Sequence, residues 1–252
     1  MKVVTRGEGK PRITVIGSIH GDEPAGKKAI ETILDSDLEF RKPVKFIIVN
    51  EEALEQDERY LESDLNRSFP GNPERDEHEE RLAAELLEEI GDSTVLDIHT
   101  THSYPDPFAV IKSKDQETIE LVEKSDVDYA VHFPTRSGNI QEFVTGVTVE
   151  TGYQGSEEAA ENAVEVIKNF LAAQEVIEED YQRSNPEVFE YLETVEGNWE
   201  FKAENFKKVE EGEVYAEKNG AKLEAEEAFY PVLMSTNGYD GHLGYKACKL
   251  EL

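Results

Sequence analysis

Four short stretches of the chain gather side chains able to do metal-assisted acid–base chemistry. The first is Ile19-His20-Gly21-Asp22-Glu23. His20 and Glu23 stand three apart at a turn that enters a helix, so both can converge on one point. The second, Asp97-Ile98-His99-Thr100, ends a strand. Two neutral imidazoles and one carboxylate suit zinc and leave a fourth position for water. Asp97 and His99, two apart on a strand, face the same side, so Asp97 can orient the His99 ring from behind. The third is Glu150, which follows the strand Val147 to Val149. A carboxylate at such a tip can accept a proton from water activated by a metal and pass it to a leaving amine. The fourth runs from Arg59 to Arg67 and puts two arginines and the Asn66 amide in one loop. The planar guanidinium fork suits carboxylates and oxyanions. Singly, each feature is commonplace: a lone histidine or a Gly-Asp-Glu turn usually serves structure, and Glu150 is one acid among 56. The combination carries the reading.

These residues need elements to hold them. Arg12 to Ile19 is β-branched and bounded by glycines, which predicts a buried strand. Pro24 suits the first turn of a helix that continues on Ala29, Ile30, Ile33 and Leu34. Val44 to Val49, Thr94 to Ile98 and Phe108 to Ile111 read as further strands. Glu74 to Ile90 reads as a helix with the stripe Leu82, Leu86, Leu87 and Ile90 over an acidic back. Ser156 can cap a helix whose stripe is Ala160, Val164, Ile167 and Leu171. Strands alternating with helices predict a layered α/β domain over residues 1–175 with a largely parallel or mixed sheet. In such sheets ligands gather beyond the carboxyl ends of the strands, where His20, Glu23, His99 and Glu150 all fall. After Asn185-Pro186 the alternating Val188 to Val195 and frequent glycines predict a small, mostly β domain over 176–252.

Composition excludes several classes of function. The chain has 252 residues, with 56 acidic against 26 basic side chains and a formal charge of −30. A field that negative repels phosphate backbones and anionic lipid, so neither nucleic acid nor a membrane is an expected partner. No apolar run approaches the roughly 20 residues of a membrane span, and Met1 to Lys10 lack the apolar core of a secretory signal. The single cysteine, Cys248, fits a reducing compartment and a small core position, so the expected location is the cytoplasm. The acids are spread along the whole length, which points to a solvated shell adapted to a salt-rich interior.

The motifs His20-Gly21-Asp22-Glu23, Asp64-Leu65-Asn66-Arg67, Asp97-Ile98-His99-Thr100 and Val149-Glu150-Thr151-Gly152 occur in this order over roughly residues 12 to 155. In this the chain resembles the succinylglutamate desuccinylase/aspartoacylase family, which shares the zinc-carboxypeptidase-like fold. The resemblance implies one zinc ion held by His20, Glu23 and His99, with Glu150 as general base. It also implies that Arg59 polarises the scissile carbonyl and holds its oxyanion, and that Asn66 and Arg67 bind a substrate carboxylate. Thr135-Arg136-Ser137 resembles the family segment whose arginine grips a side-chain carboxylate, although its spacing to Glu150 is longer here. Phe229-Tyr230-Pro231-Val232 with Tyr239 resembles the segment that lends a substrate-contacting tyrosine, with Thr236-Asn237-Gly238 where aspartoacylase has Glu-Ala-Ala.

The implied activity is zinc-dependent removal of an acetyl- or succinyl-like group from an N-acyl amino acid, a small carboxylate-bearing amide. A zinc carboxypeptidase acting on peptides and a non-catalytic metabolite-binding relative are the alternatives. Of the other histidines, His78 is expected on an exposed helix face, and His102 near the site in a structural role. His132 and His242 are expected to have no ligand role.

Strong salt screening removes much of the mutual repulsion of an acidic shell. The melting temperature of the protein is therefore expected to rise between about 0.1 M and 2 M KCl. A flat or falling melting curve across that range would contradict the salt-adapted reading.

Overall fold

The computed structural model describes residues 1–134, 137–236 and 238–251. The first edge strand, β1 (Lys2–Arg6), is polar and half-exposed, whereas β2 (Ile13–Gly17) is buried along its whole length. Helix α1 (Ala25–Asp35) follows, then β3 (Val44–Ile48), the short α2 (Glu51–Gln56) and α3 (His78–Ile90). Helix α3 starts later than the Glu74 expected from its acidic run. Residues 74–77 are drawn into turns instead, where the Asn72 side chain accepts the Glu74 N–H and Glu62 caps the His78 N–H.

Next come β4 (Thr94–Thr101), β5 (Phe108–Ile111), α4 (Gln116–Lys124), β6 (Tyr129–His132), β7 (Gly146–Tyr153) and α5 (Glu157–Ala173). Both β4 and β7 run several residues beyond the apolar stretches that announce them, so His99 and Glu150 lie within strands. Helix α5 is capped by Ser156, whose hydroxyl accepts the Ala159 N–H at 3.0 Å, and Glu157 and Glu158 complement its first turn.

The remaining strands are β8 (Glu187–Glu196), β9 (Glu200–Phe201), β10 (Val214–Lys218), β11 (Ala221–Glu224), β12 (Tyr230–Val232) and β13 (His242–Lys249). The β-rich character expected of this stretch is present, and its strands go to two places. β8 pairs in parallel with β6, and β13 and β12 extend the same sheet antiparallel. β9, β10 and β11 form a separate antiparallel sheet.

The main sheet runs β1-β3-β2-β4-β7-β5-β6-β8-β13-β12, parallel at its centre (β3-β2-β4-β7) and antiparallel where β5 meets β7. Alternate residues face opposite sides. Val15, Phe46, Leu96 and Val149 pack against α1, α4 and α5, while Ile16, Ile47 and Val95 pack against α3 through Leu82, Leu86 and Ile90. Along the second half of the α3 face, an aromatic cluster that includes Phe108, Phe189, Phe206 and Tyr245 fills the place of a helix. No helix among the described residues is long and apolar enough to cross a membrane.

One close approach governs where the first two candidate residues stand. Gly17, the last residue of β2, lies directly against Gly26 in α1. A Cβ on Gly26 would meet the Gly17 Cα at 2.8 Å and the Ser18 nitrogen at 3.2 Å. The connecting turn can then be short, and it carries His20 and Glu23. Gly26→Ala is expected to cost about 1–3 kcal/mol of stability, read from urea denaturation, because backbone on both sides has to move. A loss below experimental error would show that the two glycines are not a tight contact.

Candidate metal centre and its cavity

The turn after β2 closes on itself. The Glu23 N–H donates to the His20 carbonyl at 3.3 Å, and the Ser18 hydroxyl donates to the Glu23 carbonyl at 3.2 Å. It delivers the Glu23 carboxylate between two imidazoles. His20 Nδ1 is 2.7 Å from Oε1, and His99 Nδ1 is 3.2 Å from Oε2. The Thr100 N–H donates to Oε2 at 2.8 Å, and Arg59 Nη1 donates to Oε1 at 3.2 Å. His20, Glu23 and His99 are only 3–4% exposed, and one ligand atom from each lies within 4.8 Å of the others. The structure thus brings together all three residues expected to form the metal set.

Each imidazole is held from behind by an aspartate. His99 Nε2 is 3.0 Å from Asp97 Oδ2, which also accepts the Thr148 hydroxyl at 3.1 Å. His20 Nε2 is 3.2 Å from Asp64 Oδ1. A carboxylate at Nε2 keeps the ring proton there and leaves the Nδ1 lone pair for an ion. Asp97 was legible in the sequence from its spacing. Asp64 was not, because it reaches His20 across 44 residues and its sequence signal, the Asp-Leu-Asn-Arg motif, says nothing of that contact.

The donor set fits a divalent cation. Glu23 and Asp64 meet Arg59 here while Asp97 sits behind His99, and with both imidazoles neutral these three carboxylates and one guanidinium leave the cluster net anionic. Burial disfavours charge on His20, but the Glu23 and Asp64 carboxylates outweigh it and raise its pKa. The same contest, won by Asp97 and Glu23, lifts His99 well above the usual histidine range. Against its own burial, the two imidazoles hold Glu23 well below the usual carboxylate range. These shifts all favour added positive charge in the cluster, the kind of charge a metal ion would supply.

Glu150 lies directly opposite His99 in the parallel β4–β7 register. Its Oε2 is enclosed and has no hydrogen-bond partner among the described residues. Burial raises its pKa to about 8; His99 acts against that rise and Glu23 adds to it. The cavity in front of these groups holds about 430 Å³. Arg59, Asn66, Arg67 and Tyr239 all line it. Asn66 Oδ1 accepts the Ile140 N–H at 3.2 Å, so its NH2 end is the one available to a ligand. Tyr239 stacks on His242 with ring centres 5.0 Å apart, and its hydroxyl is 3.3 Å from Thr101 Oγ1. Burial pushes this phenol up to about 12. Arg136 lies outside the described residues.

The other histidines divide. His102 and His242 both line the cavity, so His242 is nearer the site than its sequence context suggested. His132 is taken up by Glu190 and the Lys112 carbonyl. His78 is half-buried, its Nε2 3.2 Å from Asn50 Oδ1, not out on an exposed face.

The raised Glu150 pKa has a consequence in metal-free protein. A carboxyl whose folded pKa exceeds its unfolded value binds more protons when folded, so its contribution to stability falls as pH rises between the two values. For Glu150 that window runs from its ordinary value of 4.5 to about 8. In EDTA, Glu150→Gln is expected to remove part of the loss of melting temperature across this window. Parallel melting profiles of wild type and variant would refute the buried, raised carboxyl.

Comparison with known proteins bears on the same region. A 102-residue stretch is 32% identical to a probable aspartoacylase of Acaryochloris marina; it covers 36% of this chain and 35% of that protein, so the match spans about a third of the relative's length. A succinylglutamate desuccinylase/aspartoacylase crystal structure from Rhodobacter sphaeroides superposes with a TM-score of 0.78 over 99% of this chain and 88% of that one, at 21% identity. Murine aminoacylase 3 does so at 0.73 over 96% and 97%, at 17% identity. At such identities the likeness is one of fold. Residues 9–174, which carry the buried His-Glu-His cluster and Glu150, match the succinylglutamate desuccinylase/aspartoacylase catalytic domain, and the chain belongs to that family.

Proposed function

We propose that the protein is a zinc-dependent amidohydrolase that removes an acyl group from a small N-acyl amino acid. The observation that carries this is the buried His20-Glu23-His99 cluster with the enclosed Glu150 carboxyl beside it, at the floor of one cavity. His20 and His99 through Nδ1, and Glu23 through its carboxylate, would hold the zinc. When bound, zinc supplies Lewis acidity toward the scissile carbonyl and toward water.

The chain's own groups do the rest. Glu150 takes a proton from the attacking water and returns it to the leaving nitrogen; its enclosed carboxyl, with one oxygen unpartnered among the described residues, is placed for this exchange. Arg59 offers a guanidinium to the oxygen on which negative charge develops. Asn66, through its NH2 end, and Arg67 bind the substrate carboxylate. Arg136 is proposed to contact the side chain of the amino acid, and Tyr239 to contact the substrate from the cavity wall. Residues 1–175 would form the catalytic domain and 176–252 a unit that narrows the mouth. Leu233, Tyr239, His242 and Tyr245 line the cavity from that unit, which favours small substrates over extended peptides.

The test is amine release from N-acetyl and N-succinyl amino acids and from short peptides by the zinc-loaded protein in molar KCl. Turnover of at least one N-acyl amino acid is expected. Glu150→Gln is expected to retain one zinc per chain while kcat falls about 100-fold or more. Cleavage confined to peptides would make the protein a carboxypeptidase. Substantial activity in the Gln variant would remove Glu150 from its role.

A further inference from the structure

We propose that Glu79 is the positioning residue that sets the Arg59–Asp64 loop over the metal centre, acting as an ionised carboxylate inside a nest of backbone N–H groups. Three consecutive amides donate to it: Leu61 at 2.7 Å to Oε1, and Glu62 at 3.1 Å and Ser63 at 3.2 Å to Oε2. Asn50 Nδ2 adds a fourth contact at 3.3 Å. Glu79 is fully buried, in the first turn of α3, where the helix dipole favours an anion. A concave run of successive N–H groups is an anion site in general, and here the protein fills it with its own side chain.

The placement of this contact gives it its purpose. The loop between α2 and the Leu65–Arg67 turn presents Arg59 to the cavity at its start and Asp64 to His20 at its end. The Arg59 carbonyl is fixed by the Gly21 N–H at 3.1 Å, between the two ligand residues of the first turn. Gly21 leaves no slack, since a Cβ there would lie 2.5 Å from the Glu58 carbonyl oxygen. Between these end points the chain is held by Glu79. Asn50, fully buried at the tip of β3, ties Glu79 to the sheet, and its N–H donates to the Ser18 carbonyl at the start of the His20 turn. Against burial, the donated hydrogen bonds from Leu61, Ser63, Glu62 and Asn50 keep this carboxyl below the usual range, so it stays ionised. Glu79 touches neither the cavity nor the cluster; its effect passes through the aim of Arg59 and the seat of Asp64.

The catalytic part of this inference rests on the proposed amidohydrolase reading, so the test has one arm that does not. Amide hydrogen exchange is measured on wild type, Glu79→Gln and Glu79→Asp. In the Gln variant an NH2 group faces donors, and exchange at Leu61, Glu62 and Ser63 is expected to quicken about tenfold or more while β4 and β7 amides stay protected. The Asp variant, which keeps the charge on a shorter arm, is expected to fall between, and it decides the matter if the Gln variant does not fold. Turnover is measured on the same variants alone and combined with Arg59→Ala. Glu79→Gln is expected to lower kcat about 10- to 100-fold in the wild-type background, with zinc content and KM little changed. In the Arg59→Ala background it should cost several-fold less, because one of the two groups it sets is gone and only the seat of Asp64 remains. Unaltered exchange at residues 61–63, or an equal loss of kcat in both backgrounds, would overturn the proposal. A wild-type protein inactive on every N-acyl amino acid would overturn the functional reading alone, and the exchange arm would still decide whether Glu79 holds the loop.

Discussion

A single carboxylate in the interior organises the rest of the molecule. Glu23 is 4% exposed and is met by His20, His99, Arg59 and the Thr100 N–H. A buried carboxylate without such partners is costly by several kcal/mol. Satisfying it imposes demands that run through the fold. β4 has to continue past its apolar core to bring His99 and the Thr100 N–H within reach. β2 and β4 have to be parallel neighbours so that both tips end on the same edge. The Gly17–Gly26 contact has to be close enough for a seven-residue turn, 18–24, to link β2 to α1.

The arrangement of protons follows from the aspartates. His99 has Asp97 at Nε2, so its proton belongs there and Nδ1 is the donor atom toward Glu23's side. His20 has two claimants at Nε2: Asp64 at 3.2 Å and Arg59 Nη2 at 2.9 Å. A guanidinium only donates, so both cannot be satisfied by one nitrogen. His20 can be a ligand through Nδ1 only with its proton at Nε2, and there Asp64 is the group able to accept it. Arg59 Nη2 also lies 3.4 Å from Asp64 Oδ2, so the same carboxylate gives the arginine a resting place beside the ring. The ligand state of His20 and the freedom of Arg59 are therefore coupled through one aspartate.

The residues legible in the sequence share a trait: their place in the cluster is announced by neighbours a few positions away. His20 with Glu23, Asp97 with His99, and Glu150 at the end of a β-branched run could all be read from spacing and strand pattern. Contacts made across the fold could not. Asp64 looks like part of a turn, and Glu79 looks like one more acid on the polar back of α3, since its four donors come from 16 to 29 residues away. The same limit applies to the fold. The alternation of strands and helices gave the central sheet, yet β6 is four residues long and carries little pattern. The parallel pairing of β6 with β8, which are separated in the chain by β7 and α5, carries the sheet past residue 176 and leaves no local trace.

The acidic shell and the proposed carboxylate substrate pull in opposite directions. With a formal charge of −30, the long-range field repels any anion that approaches the cavity. The attraction that must prevail is local: Arg59, Arg67 and Lys112, the last paired with Glu142 at 2.9 Å, all line the cavity. Their reach and that of the shell depend on salt in different ways. In strong electrolyte the screening length falls to about 3 Å, so exposed acids many ångströms from the mouth no longer act on the ligand. A guanidinium in direct contact with a carboxylate at that separation keeps most of its attraction, helped by partial burial. Salt therefore separates the two effects: it removes the distant repulsion before it weakens the contact. A surface that would hinder binding in dilute buffer is compatible with an anion-selective site once the solvent is salty enough to make that surface invisible from within the cavity.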